Sequence, residues 1–323
     1  MPEVCVVHLV WAPLGLGPFV EFVDSYRQKE AGMDHDLVVV FNGFRAKEGC
    51  APYHRRLEGL VYRPLVLPGP VQDIAAYYAA ARAFGHKYFC FLNSYSVILD
   101  DGWLAKLYRH ITRPGVGLVG ASGSYESRHA DKDPFPWRPM FGLLRRLWFR
   151  TALKQYRARR ELTRYLRHHF DPFPNPHIRT NAFLLSRDLL LGVKFPPLQT
   201  KLDAFRFEHG KDSLTRQVWG MGLEALVVGR DGQGYAVDRW FESHTYRSGG
   251  QRNLLVADNV TRFNMEADPD TRRRIAAWAW GERTCGDYLE EPVVLPSRHS
   301  GEDDSAGRGD LNVTPAAVHH PGR

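Results

Sequence analysis

Residues 88–103 read YFCFLNSYSVILDDGW. An apolar run, 88–92, stops at four uncharged hydrogen-bonding residues, Asn93-Ser94-Tyr95-Ser96; a second apolar stretch follows, then Asp100 and Asp101 ahead of Trp103. A short apolar run with no polar alternation has the pattern of a strand buried on both faces, as in parallel sheets. Ligands of such sheets bind beyond the carboxyl ends of the strands. The polar quartet at 93–96 therefore marks a candidate site, and the two aspartates, placed just before a helical pattern, read as its caps.

The same strand–helix alternation extends in both directions. Residues 4–10, 37–41 and 60–67 are strand candidates, with a helix at 18–31 that carries Phe19, Phe22, Val23 and Tyr26 on one face and Gly32 at its end. A helix at 73–84, with Asp73 as its N-cap, feeds the strand at 88–92. A helix at 102–111 and a strand at 117–121 follow. Beyond a break the pattern resumes with a strand at 180–185, a helix near 211–220, a strand at 225–228 and a closing helix at 269–280. Repeated alternation of this kind predicts an α/β fold with a mostly parallel central sheet between two helical layers. No internal repeat is visible.

The 323 residues suffice for one large α/β domain or two small ones, and a hydrophobic content of 44% with 12% aromatics supports a sizeable core. No run approaches the ~18 apolar residues of a membrane-spanning helix. The start, MPEVCVVHLVW, lacks a basic region and a small-residue cleavage site, so it reads as a first strand and not a signal peptide. Cys5, Cys50, Cys90 and Cys285 form no Cys-x-x-Cys pair, which argues for reduced thiols in a cytoplasmic protein and against a disulfide framework or zinc site.

The net charge of +7 is unevenly spread: residues 138–169 hold ten Lys/Arg against one acid, Glu161, so the rest of the chain is close to neutral. This basic stretch belongs to an insertion, 129–175, whose long helical segment 141–169 carries Leu144, Leu147 and Trp148 among its arginines. Its composition fits an amphipathic helix on the domain surface, or one lying on the anionic inner face of a membrane. Nucleic acid is the rival partner for that charge density, but no nucleic-acid motif accompanies it. After residue 281 no apolar period survives, and 282–323 reads as a disordered tail.

Three features in order carry a resemblance: VVVFNG at 38–43, DIAAYYAAARAFGHKYFCFLNSYS at 73–96, and FRFEHGKDSLTRQVWGMG at 205–222. Their sequence and spacing resemble the family 2 glycosyltransferases and relatives of GT-A fold, over roughly residues 4–230 outside the insertion. The resemblance implies transfer of a sugar from a nucleotide-sugar donor to a glycan or lipid-linked acceptor, in cell-surface polysaccharide assembly. It places Trp11, Asn42 and Asp73 at the donor, and Asn93, Ser94 and Ser96 at the diphosphate or sugar. Glu208 or Asp212 is then the base that deprotonates the acceptor hydroxyl. Arg179 and Asn181, in FPNPHIRTNAF, approach acceptor and donor sugar, and the polar-aromatic stretch 240–261 supplies Arg247 for phosphate and His244 for a metal.

In the family, the strand-four motif carries an aspartate that binds Mn²⁺ or Mg²⁺; here Tyr95 stands in that place. Neutral Asn, Ser and Tyr side chains are poor ligands for these hard cations. Three alternatives follow: a metal-independent transferase, a metal held by carboxylates from elsewhere, or a degenerate protein that binds nucleotide or glycan and organises a membrane-associated complex.

Overall fold

The computed structural model describes residues 2–45, 47–129 and 158–284. Its centre is an eight-stranded sheet in the order β11-β10-β6-β9-β4-β1-β2-β3. The strands are β1 (Val4–Trp11), β2 (Asp36–Asn42), β3 (Tyr62–Val66), β4 (Tyr88–Leu92), β6 (Val116–Gly120), β9 (Ala182–Ser186), β10 (Glu224–Val228) and β11 (Gly234–Tyr235). The block β3-β2-β1-β4 is parallel, β10 runs parallel to β6, and β9 lies antiparallel between β4 and β6. The expected α/β fold with a mostly parallel sheet is thus present, and β9 is the internal strand that runs against its neighbours.

The inner strands are apolar on both faces because both faces are covered. Val4, Val6 and Val10 pack with Phe19, Phe22 and Val23 of α1 (Gly17–Gln28) and with Trp103, Leu104 and Leu107 of α4 (Trp103–Ile111). Cys5, Val7 and Leu9 face the other layer, with Ile74 and Tyr77 of α3 (Asp73–Ala83), Phe207 of α7 (Lys201–His209) and Val218 of α8 (Leu214–Gly220). Helix α2 (Ala51–Arg56) lies before β3, and α6 (Arg187–Gly192) follows β9. Two-residue ladders β5 (Val97–Ile98) with β12 (Val256–Ala257), and β7 (Gly123–Ser124) with β8 (His177–Ile178), tie the loops together. Helices α9 (Asn259–Glu266) and α10 (Pro269–Trp280) close the described chain. Cys5, Cys50 and Cys90 are buried free thiols.

Several local expectations are corrected. Helix α1 ends at Gln28 with Lys29 as C-cap, and Gly32 (φ +77) instead lets the chain press against Gly102. Gln72, not Asp73, is the N-cap of α3. Asp100 and Asp101 do not cap α4: Asp101 accepts from the Glu30 amide (2.9 Å) and so ties the start of α4 to the chain just after α1, while Asp100 pairs with Lys106 of α4 itself. The cluster at 208–212 closes helix α7 and does not open a helix; the N-cap of α8 is Ser213. Residues 240–264, without period in the sequence, fold into short 3-10 turns, β12 and α9.

Within the insertion, residues 158–169 form helix α5, with Arg159, Arg160, Arg164 and Arg167 exposed and Leu166 buried. The rest of the basic stretch, 138–157, and the tail from 285 on lie outside the described residues. Among the described residues no helix is long and apolar enough to cross a membrane.

Candidate functional site

The quartet after β4 is a hydrogen-bonded turn. Asn93 Oδ1 accepts from the Tyr95 amide (3.0 Å) and from Ser96 Oγ (3.1 Å), the Asx turn for which this side chain is suited. The Asn93 amide donates to Asn181 O (2.9 Å), and Ser96 Oγ lies 3.3 Å from the same oxygen. The strand exit at 93–96 is therefore joined to the strand entry at 181, because β9 runs antiparallel and starts at this rim. Ser94 is buried and lines a cleft of ≈ 10 Å³ with His8, Trp11 and Phe19.

Arg179-Thr180-Asn181 is the second wall. The Arg179 guanidinium is buried, donates to Asp258 Oδ2 (2.7 Å) and Ser122 Oγ (3.2 Å), and lies over the Tyr246 ring at 4.3 Å. Burial alone would weaken its hold on the proton, but the charge and hydrogen bond of Asp258 keep it above the ordinary arginine value. Asn181 Oδ1 accepts from Ser122 Oγ (3.0 Å), while its Nδ2 is buried with no partner in the protein. A buried donor without an acceptor is costly, so Asn181 offers a hydrogen bond to whatever enters here.

Glu208 stands on the last turn of α7, whose start is fixed by a capping box between Thr200 and Asp203. Its Oε1 accepts from the Thr180 amide (2.9 Å), so consecutive residues 180 and 181 hold Glu208 and Asn93 on one rim. Burial raises the Glu208 pKa; Arg179, the Thr180 amide and Arg128 pull it back, and Asp258 pushes it up. Asp73 belongs to the same pocket: burial raises its pKa, the Ile74 amide lowers it, and the Glu208 charge raises it further. The buried Tyr77 hydroxyl, which feels both carboxylates, has no partner in the protein.

Other predicted site residues are engaged elsewhere. Asp212 turns to Arg206, which meets it with two nitrogens; Arg206 and Glu208 are two residues apart on α7 and face different sides. Both polar atoms of the Asn42 amide are spent on the Val71 backbone (2.8 and 3.0 Å), which fixes the approach to α3. Next to it, Gly43 (φ +82) leaves room for the Trp11 ring, whose Cζ3 lies 2.9 Å from where a Cβ would stand. Arg247 is ion-paired with Glu126 and lies 4.8 Å from the Tyr246 ring centre. His244, in left-handed backbone (φ 50), packs against Gly249 near Arg252.

Sequence reasoning missed four residues. Asp258 and Glu126 neutralise Arg179 and Arg247, and Tyr246 lies between them. Burial raises the Glu126 pKa, but Arg247, His177, Arg179 and the Tyr246 hydroxyl outweigh it and leave the carboxyl below its ordinary value. His8, in the middle of β1, is fully buried with both ring nitrogens unpartnered, stacked on Phe22 at 3.5 Å. A histidine within an otherwise apolar strand was the signal available for it.

These donors do not fit a divalent cation. The strand-four quartet offers no carboxylate, and the amide oxygen of Asn93 already accepts two hydrogen bonds. Among the described residues no group of three or more His, Cys, Asp or Glu side chains is placed to hold a metal ion.

No family model and no curated protein matches the chain. Solved structures do resemble it distantly. The mannosyltransferase PcManGT from Pyrobaculum calidifontis, in complex with GDP-Man and Mn²⁺, is 16% identical with a TM-score of 0.44, over 86% of this chain and 70% of that one. The glucosyl-3-phosphoglycerate synthase from Mycobacterium tuberculosis is 20% identical with a TM-score of 0.34, over 60% of each chain. TarS 1–349 of S. aureus is 12% identical with a TM-score of 0.41, over 86% and 70%. At these values the likeness carries no conclusion about what this chain does.

Proposed function

We propose that the chain is a glycosyltransferase that moves a sugar from a nucleotide-sugar donor to a glycan or lipid-linked acceptor in cell-surface polysaccharide assembly. The observation that carries this reading is the meeting of Glu208 and the 93–96 quartet on one rim, through Thr180 and Asn181. In the reaction the acceptor oxygen attacks the anomeric carbon as its proton passes to Glu208. The bond from that carbon to the diphosphate oxygen breaks, and the nucleoside diphosphate leaves with the electron pair. A raised Glu208 pKa suits a base, since a carboxylate of ordinary acidity is a weaker proton acceptor. Asp73 and Trp11 border the donor side; Ser94, Ser96 and the side-chain nitrogens (Nδ2) of Asn93 and Asn181 meet the sugar or diphosphate, with hydrogen bonds in place of a metal. The exposed arginines of α5 would hold the enzyme at an anionic membrane, where a lipid-linked acceptor lies.

One observation favours a second reading, a degenerate nucleotide- or glycan-binding protein. Arg179 and Arg247 are each already paired with a carboxylate, so neither is a ready partner for phosphate. Release of nucleoside diphosphate from a panel of nucleotide sugars, with and without EDTA, separates the two. Turnover that survives EDTA and is lost in Glu208→Gln supports the metal-independent transferase. Turnover lost in EDTA and restored by Mn²⁺ overturns metal independence. Nucleotide binding without turnover overturns the transferase.

A further inference from the structure

We propose that Asp258 and Arg179 are positioning residues for Glu208: their ion pair determines how strongly the guanidinium acts on the Glu208 carboxylate, and it fixes the Thr180 amide that holds that carboxylate. The inference rests on the reading of Glu208 as the base. Arg179 directly precedes Thr180, whose N–H is 2.9 Å from Glu208 Oε1. The guanidinium has little freedom: Asp258 holds it at 2.7 Å, Ser122 at 3.2 Å, and the Tyr246 ring lies 4.3 Å below it. Asp258 is itself immobilised as the N-cap of α9, where its Oδ1 accepts from the Thr261 amide (2.8 Å). Helix α9 and the 240–258 segment thus reach the reacting carboxylate through one cation. The far side of Tyr246 is secured in the same way, by Glu126 and Arg247.

The charges that Glu208 feels come from several elements. Asp73 and Glu208 act on each other and Tyr77 of α3 feels both, while Arg128 of the segment after β7, Arg179 and Asp258 also act on Glu208. Arg179 favours the ionised form and Asp258 opposes it. The pair therefore yields opposite effects when split. Removing Asp258's charge leaves Arg179 unopposed and makes Glu208 more acidic; removing Arg179's charge makes it less acidic.

The test is the titration of Glu208 in the full chain by carboxyl-carbon NMR, with the resonance assigned through its loss in Glu208→Gln. Asp258→Asn is expected to move the midpoint to lower pH, Arg179→Gln to higher pH, and Arg179→Lys much less than Arg179→Gln. A purely structural role would move both neutral variants alike or neither, and either result overturns the proposal. Should Arg179→Gln not fold, an Asp258→Asn midpoint that is unmoved or raised is sufficient to overturn it. Because the readout needs no substrate, opposite shifts without sugar transfer sustain the positioning and defeat only the assignment of Glu208 as a base. Where transfer is measured, the acid limb of the kcat/KM profile moves several-fold in activity near the midpoint, in the same directions.

Discussion

Replacing His8 by leucine tests the strangest group in the core. His8 is fully buried in β1, both its nitrogens lack partners, and its ring is stacked on Phe22. Burial pushes its pKa from 6.5 down to about 3. The folded protein therefore keeps His8 neutral down to that pH, whereas the unfolded chain protonates it below 6.5. Protons bound only by the unfolded state make stability fall as pH drops through this window. At pH 5, one and a half units below the ordinary value, the loss is about 2 kcal/mol relative to neutral pH, at 1.36 kcal/mol per unit. That is a sizeable share of a typical ~5–15 kcal/mol. Leucine, near in volume and with nothing to protonate, removes this contribution. Urea denaturation of both proteins at pH 7 and pH 5 is the assay. The variant should gain about 2 kcal/mol on the wild type between the two pH values. His177, whose pKa burial lowers to about 4, adds the same trend to both proteins and cancels in the comparison. Two proteins that lose stability in parallel would refute the reasoning.

Four further outcomes are expected. Glu208→Gln should lower kcat by about 10²–10⁴-fold with an unchanged circular dichroism spectrum; in the wild type, activity should fall on acidification at a pH above that of an ordinary glutamate, because its pKa is raised. Glu126→Gln leaves Arg247 buried beside a neutral amide and should cost about 3 kcal/mol by denaturation at pH 7. Since the Glu126 pKa is lowered, that stabilisation is present above the ordinary glutamate value and is lost as pH falls through the folded one. Asn42→Ala deletes both hydrogen bonds to Val71 and should destabilise by about 1–3 kcal/mol. Asp212→Asn should leave kcat unchanged and cost under about 1 kcal/mol, because its pair with Arg206 is partly exposed.

The layers of the fold were legible because burial on both faces leaves an unmistakable mark. Runs such as 37–41 and 88–92 contain nothing polar, and the helix at 269–280 declares itself with Asp268 ahead of Pro269. The direction of β9 was not legible, since an apolar strand has the same composition whichever way it runs. Its reversal is what brings Arg179 and Asn181 to the rim. Asn93 and Ser96 were readable as polar residues at the end of a strand, whereas Glu208 was named only through the family resemblance, on a cluster expected to open a helix that instead closes α7. The partners Asp258, Glu126 and Tyr246 lie far from them in sequence, and pairing between distant charges has no local signature. Asp212 misled for a related reason: an acid near a helix end looks alike whether it turns toward a pocket or toward Arg206.

Strand β9 carries the chain away from the rim, so everything between Ser186 and Glu208 is a return journey over the sheet. Helix α7 ends that journey, and the Thr200–Asp203 box sets the rung on which it begins. Glu208 comes seven places after Lys201, about two helical turns or ~10 Å along the axis. The carboxylate is thus aimed from a distance, as the hand of a clock is by its spindle. A single residue added or lost between 201 and 207 would swing it through about 100° and leave the Thr180 amide facing some other side chain.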